Sequence, residues 1–322
     1  MSARTLITGG LGYVGGRLYQ GLRSNASLDL CLGSRRIPAV MPQWARGLEV
    51  IPMDLSSDQS LDAACEGVNC VIHLAALNEI ESAKDPQLAL EVNAAGALRM
   101  LRAAQRARVE RFIYLSTAHV YGSPLAGVID ERTVPRPVHP YAITHRAAED
   151  FVLASHDRGG IVGIVLRLSN GFGAPADPAV NRWTLLANDL CKQAATTASL
   201  VLRSSGLQQR DFITLEDVAA CVAHFISLPV EACGNGLFNL GGGRTMSVLA
   251  MAELVAARCE VVLGFRPAIE RPAPAPEEMS TQGMLDYRID KLRSTGFSPR
   301  GSFEAEIDAT LRLCNDAFGR GS

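Results

Sequence analysis

The chain has 322 residues, of which 48% are hydrophobic and 20% charged, the balance of a globular protein with a sizeable core. This length exceeds the roughly 250 to 300 residues that one hydrophobic core usually serves, so we expect two unequal lobes. The formal net charge of -2 argues against a nucleic-acid or anionic-membrane partner, because neutralising phosphates requires an excess of clustered basic residues.

The cysteines and the first residues indicate a reducing compartment. The eight cysteines form no C-x-x-C pair and mostly lie within apolar runs, so we expect buried thiols and neither disulfides nor a metal site. The opening segment MSARTLITGG has one arginine and a short apolar run ending in glycines, which is typical of neither a signal peptide nor a membrane span. A cytoplasmic location is therefore expected.

Short apolar runs of strand length alternate with amphipathic stretches through the first half of the chain. Because these runs are continuous and do not alternate with polar residues, the strands should be buried on both faces. Alternating strands and helices of this kind predict an α/β Rossmann fold with a doubly wound parallel sheet. The predicted strands span 5–8, 28–32, 48–53, 70–74, 111–116 and 161–168, and the predicted helices span 15–23, 61–65, 87–106 and 141–156.

The pattern changes beyond Asn170, where a Pro- and Gly-punctuated stretch, GFGAPADPAV, leads into a helical segment at 183–195. Short extended pieces and a proline-rich run, RPAPAPEE, follow. We therefore predict a dinucleotide-binding domain over 1–169, to which the chain returns around 211–240. A smaller α/β substrate-binding lobe is predicted over 170–210 and 241–322.

The glycines after the first predicted strand indicate a pyrophosphate-binding turn. The segment TGGLGYVG begins at Thr8 and opens the first predicted helix. Glycines there allow a positive φ, a close approach of the backbone to phosphate, and tight helix-to-strand packing, with the phosphate at the positive helix end. A tight turn with no ligand is the alternative, but the strand-turn-helix context favours dinucleotide binding. The predicted contacts are Gly9, Gly12, Tyr13, Val14 and Gly15.

The end of the second strand bears on which dinucleotide is bound. An NAD enzyme usually has an acidic residue there for the ribose 2′-hydroxyl, whereas this chain has Arg35 and Arg36. Two guanidinium groups could pair with a 2′-phosphate, which favours NADP over NAD. A solvated basic loop is the alternative.

Nine motifs, in a fixed order, carry a family resemblance. They are TGGLGYVG; Asp54-Leu55; His73-Leu74-Ala75-Ala76; Asn93 in VNAAGAL; FIYLSTAHVYG from Phe112; YAITH from Tyr141; RLSNGFG from Arg167; RDFITLEDVA from Arg210; and FNLGGG from Phe238. With these motifs the sequence resembles the extended short-chain dehydrogenase/reductase family, in its branch of nucleotide-sugar epimerases, reductases and dehydratases, over nearly its whole length.

The resemblance implies an enzyme that transfers hydride between a nicotinamide and a sugar carbon, in the synthesis of activated sugars or surface polysaccharide. Tyr141 matches the tyrosine that exchanges the hydroxyl proton, and Thr117 matches the residue that holds the same oxygen. The family contacts adenine at the position of Asp54 and Leu55. Further cofactor contacts are implied at Leu74, Ala75, Ala76 and Asn93.

His145 departs from the family motif, Y-x-x-x-K, whose lysine holds the nicotinamide ribose and lowers the pKa of the tyrosine. The spacing still places Tyr141 and His145 on one helix face, as joint catalytic and cofactor-binding candidates. A histidine of ordinary pKa about 6.5 is not assured of a charge at neutral pH. We hypothesise that His145 still bonds the ribose but supports slower or pH-shifted turnover, so that His145→Lys would raise the rate near neutrality.

The STAHVYG stretch reduces the number of candidate reactions. The family's 4,6-dehydratases have an Asp-Glu pair directly after the threonine, whereas this chain has Ala118 and His119, so dehydration is disfavoured. His119 is either a substrate-side acid or a loop histidine without a role. Epimerisation and ketone reduction both stay open, since Arg35 and Arg36 favour reduction and the motif set favours epimerisation.

The resemblance also places the substrate. Asn170 matches an asparagine near the sugar pyrophosphate, and Arg210 matches an arginine that grips the nucleotide diphosphate, for which a forked guanidinium is suited. An ion pair between Arg210 and Asp211 is the alternative, and Arg288 is a looser phosphate candidate. The helices at 87–106 and 141–156 match those through which the family forms homodimers. A catalytically impaired NADP-binding protein and a reductase of a non-sugar ketone are the rival functions.

Overall fold

The computed structural model describes residues 2–274 and 284–319. Its strands are β1 (Ala3–Thr8), β2 (Leu28–Ser34), β3 (Val50–Pro52), β4 (Cys70–His73), β5 (Arg111–Thr117), β6 (Gly127–Ile129), β7 (Val162–Leu168), β8 (Asn170–Phe172), β9 (Ser199–Val201), β10 (Gln209–Thr214), β11 (Leu237–Leu240), β12 (Thr245–Ser247), β13 (Ala268–Glu270) and β14 (Leu285–Tyr287). Its α-helices are α1 (Tyr13–Leu22), α2 (Asp58–Ala64), α3 (Glu79–Lys84), α4 (Pro86–Ala89), α5 (Gly96–Arg106), α6 (Pro140–Asp157), α7 (Leu186–Thr197), α8 (Leu215–Ser227), α9 (Val248–Leu263), α10 (Asp290–Ser294) and α11 (Phe303–Phe318).

Seven parallel strands form the central sheet, in the order β11-β7-β5-β4-β1-β2-β3. Consecutive side chains point to opposite faces, so Leu6 lies in the core beneath α2, α5 and α6, while Ile7 lies in the core beneath α1 and α8. Both side chains are fully buried, which explains why the strands read as continuous apolar runs. The predicted doubly wound Rossmann fold is confirmed.

The predicted helix at 87–106 and the predicted third strand differ in extent from the observed elements. The predicted helix at 87–106 is divided into α4, a π-helical turn over Leu90–Ala95, and α5. The wider turn accompanies the burial of Asn93, whose amide bonds across to neighbouring segments. The third strand is limited to Val50–Pro52, since it lies at the sheet edge and proline cannot donate to a ladder.

The second part of the chain has its own core, in which α7, α9 and α11 pack together. The helix predicted at 183–195 begins at Leu186, and the Trp183 indole instead donates to the Pro178 carbonyl at 3.1 Å. All eight cysteines are buried free thiols, as expected. The proline-rich run lies partly outside the described residues, from 275 onward. Among the helices that the structure describes, none has both the length and the apolar character needed to cross a bilayer.

Candidate active site

A cleft of about 1650 Å³ opens at the carboxyl ends of the central strands. Its walls include residues that end or follow four of them: Gly9 after β1, Ser34 on β2, Leu74 after β4 and Thr117 on β5. Open α/β sheets bind ligands in this location, because neighbouring crossovers leave a crevice there. Of the predicted site residues, all except Asn93 and the looser candidate Arg288 line this cleft.

The glycine loop forms an anion cradle at the start of α1. Gly9 has φ of +65°, and a Cβ added at Gly15 would lie 2.5 Å from the Gly9 carbonyl oxygen, so both positions exclude larger residues. Gly12 is the N-cap and offers no side-chain acceptor, and the first turn has no acidic residue. Free amides and the positive helix end therefore face the cleft, which suits a diphosphate.

Tyr13 joins this loop to the segments of chain that carry Gly173 and Asn188. Its hydroxyl donates to the Gly173 carbonyl at 3.0 Å and accepts from the Asn188 amide at 3.1 Å. Burial raises the pKa of Tyr13, so the phenol stays protonated. Tyr13 therefore lines the cleft in a structural role, and Val14 beside it contributes an apolar surface.

One end of the cleft carries three guanidinium groups that have no ion-pair partner among the described residues, those of Arg35, Arg36 and Arg99. Arg99 was not predicted; it lies one turn after Gly96, which packs against Leu55. The Asp54 carboxylate accepts from the Ser56 amide at 2.8 Å and hydroxyl at 2.7 Å, and these bonds lower its pKa. Charge at this end is therefore predominantly positive.

The side chains of Thr8 and Asn93 fix the loop after β4 by hydrogen bonds to its backbone. The Thr8 hydroxyl accepts from the amides of Leu74 at 3.0 Å and Ala75 at 3.2 Å, which fixes the backbone that carries Ala75 and Ala76 into the cleft. Asn93 lies behind the cleft wall, accepting from the Leu77 amide at 2.7 Å and donating to the Thr144 hydroxyl at 3.1 Å. Its amide is thus occupied in positioning the loop and α6.

Tyr141 and Thr117 both line the cleft with uncommitted hydroxyl protons. Tyr141 stands in the first turn of α6, and its hydroxyl has no hydrogen-bond partner among the described residues. Thr117 ends β5, and its oxygen accepts from the His119 amide at 3.2 Å, which leaves its proton free to donate. Burial raises the pKa of Tyr141, so the phenol stays protonated at neutral pH and has a proton to donate.

His145 lies beneath Tyr141, one helical turn further along, and is only 2% exposed. Its ring packs edge-on against the Tyr141 ring with centroids 4.3 Å apart, and its Nδ1 lies 2.6 Å from the Tyr114 hydroxyl. Burial lowers the pKa of His145 to about 4, so the imidazole is neutral at pH 7. It therefore supplies no cation to stabilise a tyrosinate, unlike the lysine of the Y-x-x-x-K motif.

A charge pair that no sequence motif indicated crosses the cleft. The Nη1 and Nη2 atoms of Arg182 each lie 3.1 Å from Oε2 of Glu79, and this pair joins the start of α3 to the segment before α7. Burial favours protonation of Glu79, but Arg182 outweighs it and lowers the pKa of the carboxyl. Glu79 is therefore ionised. His119 nearby has its pKa lowered by burial and is neutral.

The far end of the cleft is formed by Asn170, Arg203 and Arg210. The Asn170 amide donates to the Asp211 carbonyl at 2.9 Å. The Asp211 carboxylate is buried and accepts from the Ser169 hydroxyl at 2.6 Å and from two backbone amides, so the alternative of an Arg210–Asp211 ion pair is wrong.

Arg210 consequently has no acidic partner in the described part of the chain, and Arg203 adds a second, unpredicted cation to this wall. Arg288 lies outside the cleft lining and is ion-paired with Asp286 at 2.9 Å. The wall around Arg210 can therefore receive an anion, which the surroundings of Arg288 do not offer.

Comparison with known proteins places this cleft in context. The model of the NAD dependent epimerase/dehydratase family matches residues 5–241. The chain is 25% identical to mouse dTDP-D-glucose 4,6-dehydratase, covering 98% of this chain and 89% of that protein. It is 30% identical to UDP-glucose 4-epimerase of Azospirillum brasilense, covering 77% and 75%. The structure of Thermus thermophilus UDP-glucose 4-epimerase with NAD superposes with a TM-score of 0.78 at 23% identity, covering 98% and 99%.

Proposed function

The chain belongs to the NAD dependent epimerase/dehydratase family, and from this premise we propose that it binds NADP(H) and a nucleoside-diphosphate sugar. The proposed reaction is epimerisation or ketone reduction at a sugar carbon. The observation that carries the proposal is one continuous cleft that runs from the uncapped start of α1, past Tyr141 and Thr117, to the unpaired Arg210. Each end of the cleft can receive a phosphate group, and the hydroxyl groups of Tyr141 and Thr117 lie between the two ends.

The cofactor would lie along the glycine loop, with its diphosphate at the amides that follow Gly12 and its adenosine toward Arg35 and Leu55. When bound, its nicotinamide accepts or supplies the hydride. The chain's own contribution is to hold the reacting carbon beside Tyr141. The Tyr141 phenol exchanges a proton with the sugar oxygen, and the Thr117 hydroxyl donates a hydrogen bond to that oxygen.

We expect Arg35 and Arg36 to select NADP. Replacing both with alanine removes charge-assisted bonds to a 2′-phosphate, so NADPH affinity should fall about 10- to 100-fold with NADH affinity nearly unchanged. Calorimetric titration of both cofactors measures the two affinities. Arg46→Ala, at an exposed arginine outside the cleft, is the matched control. Equal losses for both cofactors would show that these arginines do not read the 2′-position.

Dehydration is not supported by this site. It requires an acid that protonates the departing hydroxyl, and the positions after Thr117 hold buried Ala118 and neutral His119. The Glu79 carboxylate, which also lines the cleft, is ionised and paired with Arg182, so it lacks a proton to give.

The proposal is tested by identifying the co-purifying cofactor through mass spectrometry and then screening nucleoside-diphosphate sugars for product. Tightly held oxidised cofactor supports an epimerase, and an empty site that takes up NADPH supports a reductase. Arg210→Ala should raise the KM for a sugar nucleotide about 10- to 100-fold, since a charge-assisted fork to phosphate is lost. Arg210→Lys should recover part of it. Unchanged kinetics in Arg210→Ala would favour a non-sugar ketone as substrate.

A second candidate function is cofactor binding without turnover, and neutral His145 favours it. A tyrosine without a neighbouring cation is harder to ionise, which weakens it as a base in the oxidative direction. Bound cofactor with no product from any sugar nucleotide between pH 6 and pH 10, a range of about four units around the reference pKa values, would establish this candidate.

We also propose a homodimer through α5 and α6. The two helices lie side by side, with Ile143 and Phe151 exposed by 47% and 43%, and a cavity of about 410 Å³ lies between them. Apolar side chains in such a patch indicate a protein contact. Light scattering should give twice the chain mass of 34.4 kDa, and Phe151→Glu should give a monomer. A monomeric mass for the natural sequence would contradict the proposal.

A further inference from the structure

The buried contact between Tyr114 and His145 determines which nitrogen of that histidine carries the proton. The Tyr114 hydroxyl and His145 Nδ1 are 2.6 Å apart, and both residues are 2% exposed. The other ring nitrogen, Nε2, is buried and has no hydrogen-bond partner within the described ranges. Neutral imidazole has one donor and one acceptor nitrogen, so two arrangements of the pair are possible.

The two arrangements differ in how many buried polar groups they leave without a hydrogen-bond partner. If Nδ1 donates to Tyr114, the Tyr114 proton is left without an acceptor in the described structure, and Nε2 is left as a second unsatisfied group. If the Tyr114 hydroxyl donates to Nδ1, only the Nε2 proton is left without a partner. Each unsatisfied buried polar group is costly, so the second arrangement is the stable one.

A neighbouring histidine follows the same rule. The Thr8 oxygen already accepts from the Leu74 and Ala75 amides, so its proton is directed to His73 Nδ1 at 2.9 Å. The His73 ring stacks on Tyr114 with centroids 5.9 Å apart, and its Nε2 is likewise buried without a partner in the described chain. Tyr114 thus lies between two imidazoles of the same tautomer.

We propose that Tyr114 is a positioning residue: by donating to Nδ1 it holds the His145 proton on Nε2, where the ring offers a neutral hydrogen-bond donor to a ribose hydroxyl of the bound dinucleotide. The identity of that acceptor rests on the proposed function, whereas the tautomer rests on the protein alone. His145 contributes to the cleft lining next to Tyr141, and Nε2 is the ring nitrogen that Tyr114 does not engage. The site would then use a directional donor in place of an ammonium group.

The tautomer is tested by nitrogen-15 NMR of histidine-labelled protein without cofactor, with His145→Gln to assign the signals. We expect a protonated Nε2 and an unprotonated Nδ1 at neutral pH. Tyr114→Phe should convert this pattern to a mixture, whereas Tyr121→Phe, a buried tyrosine bonded to Asn239, should leave it unchanged. A proton on Nδ1, a cationic ring at neutral pH, or an unchanged pattern in Tyr114→Phe would overturn the inference.

A double-mutant cycle on cofactor affinity tests the consequence. Tyr114→Phe should weaken NADPH binding about threefold to tenfold, since one oriented donor is lost. In the His145→Gln background the same change should have no further effect, because an amide donor has no tautomer to fix. If Tyr114→Phe weakened NADPH binding equally in both backgrounds, Tyr114 would contribute only packing. Neither measurement requires turnover, so an absence of sugar-nucleotide activity would contradict only the proposed function.

Discussion

Tyr141→Phe is expected to lower turnover of the sugar nucleotide by about 10²- to 10⁴-fold, the range that a positioned acid or base contributes. The substitution removes one oxygen whose proton has no acceptor among the described residues. The ring remains, and with it the edge-on packing against His145 at 4.3 Å between centroids. Stopped-flow absorbance of the reduced nicotinamide and product analysis measure the loss.

The controls for Tyr141→Phe separate chemistry from binding. Cofactor affinity should change by less than about threefold, because the ring packing that shapes the wall is retained. Tyr121→Phe removes a buried hydroxyl elsewhere in the core and should keep full turnover if the protein is folded. Turnover of Tyr141→Phe within about tenfold of the natural enzyme would assign the proton transfer to another group in the cleft lining, such as His119.

Residues whose signals are local could be predicted from the sequence. Gly9 and Gly15 are required by backbone geometry within eight residues of chain, and the structure shows the positive φ and the close contact that demand them. The continuous apolar strands report burial on both sheet faces, so the doubly wound sheet was also predictable. Tyr141 and Thr117 were found through motifs, and the structure brings both to the same cleft.

Contacts between distant segments could not be predicted. Glu79 and Arg182 are 103 positions apart, and Tyr114 and His145 are 31 apart, so no spacing rule connects either pair. The charge of His145 depends on burial, which a motif does not encode. The family motif that implied a cofactor contact at Asn93 also does not encode that its amide bonds to the Leu77 backbone and the Thr144 hydroxyl behind the cleft wall.

A second charge pair, Glu149 with Arg167, fixes α6 to the sheet. Both side chains are almost fully buried, and Arg167 donates to the two carboxylate oxygens at 3.0 Å from Nε and 2.7 Å from Nη2. Ser116 on β5 donates to the same carboxylate at 2.5 Å. Glu149 therefore connects α6, which carries Tyr141, to strands β5 and β7.

Glu149→Gln should lower the free energy of unfolding by about 3 to 5 kcal/mol, because it leaves the Arg167 cation buried without a counter-charge. Urea denaturation followed by circular dichroism measures the change. Arg146→Met, which removes a half-exposed cation that contacts the same carboxylate at 3.2 Å, should cost less than about 1 kcal/mol. A loss from Glu149→Gln as small as that would mean that water or a shifted side chain compensates Arg167.

Neutralising both partners should separate the stability of the fold from the geometry of the site. In Glu149→Gln combined with Arg167→Met no buried charge is unpaired, and the glutamine oxygen can still accept from Ser116, so much of the lost stability should return. The fork that sets the position of α6 against β7 is nevertheless gone, and Tyr141 depends on that position relative to Thr117. Turnover of the double variant should therefore stay reduced at restored stability, since small displacements of an acid from its substrate are costly. Full recovery of both would show that Glu149 and Arg167 serve the fold alone.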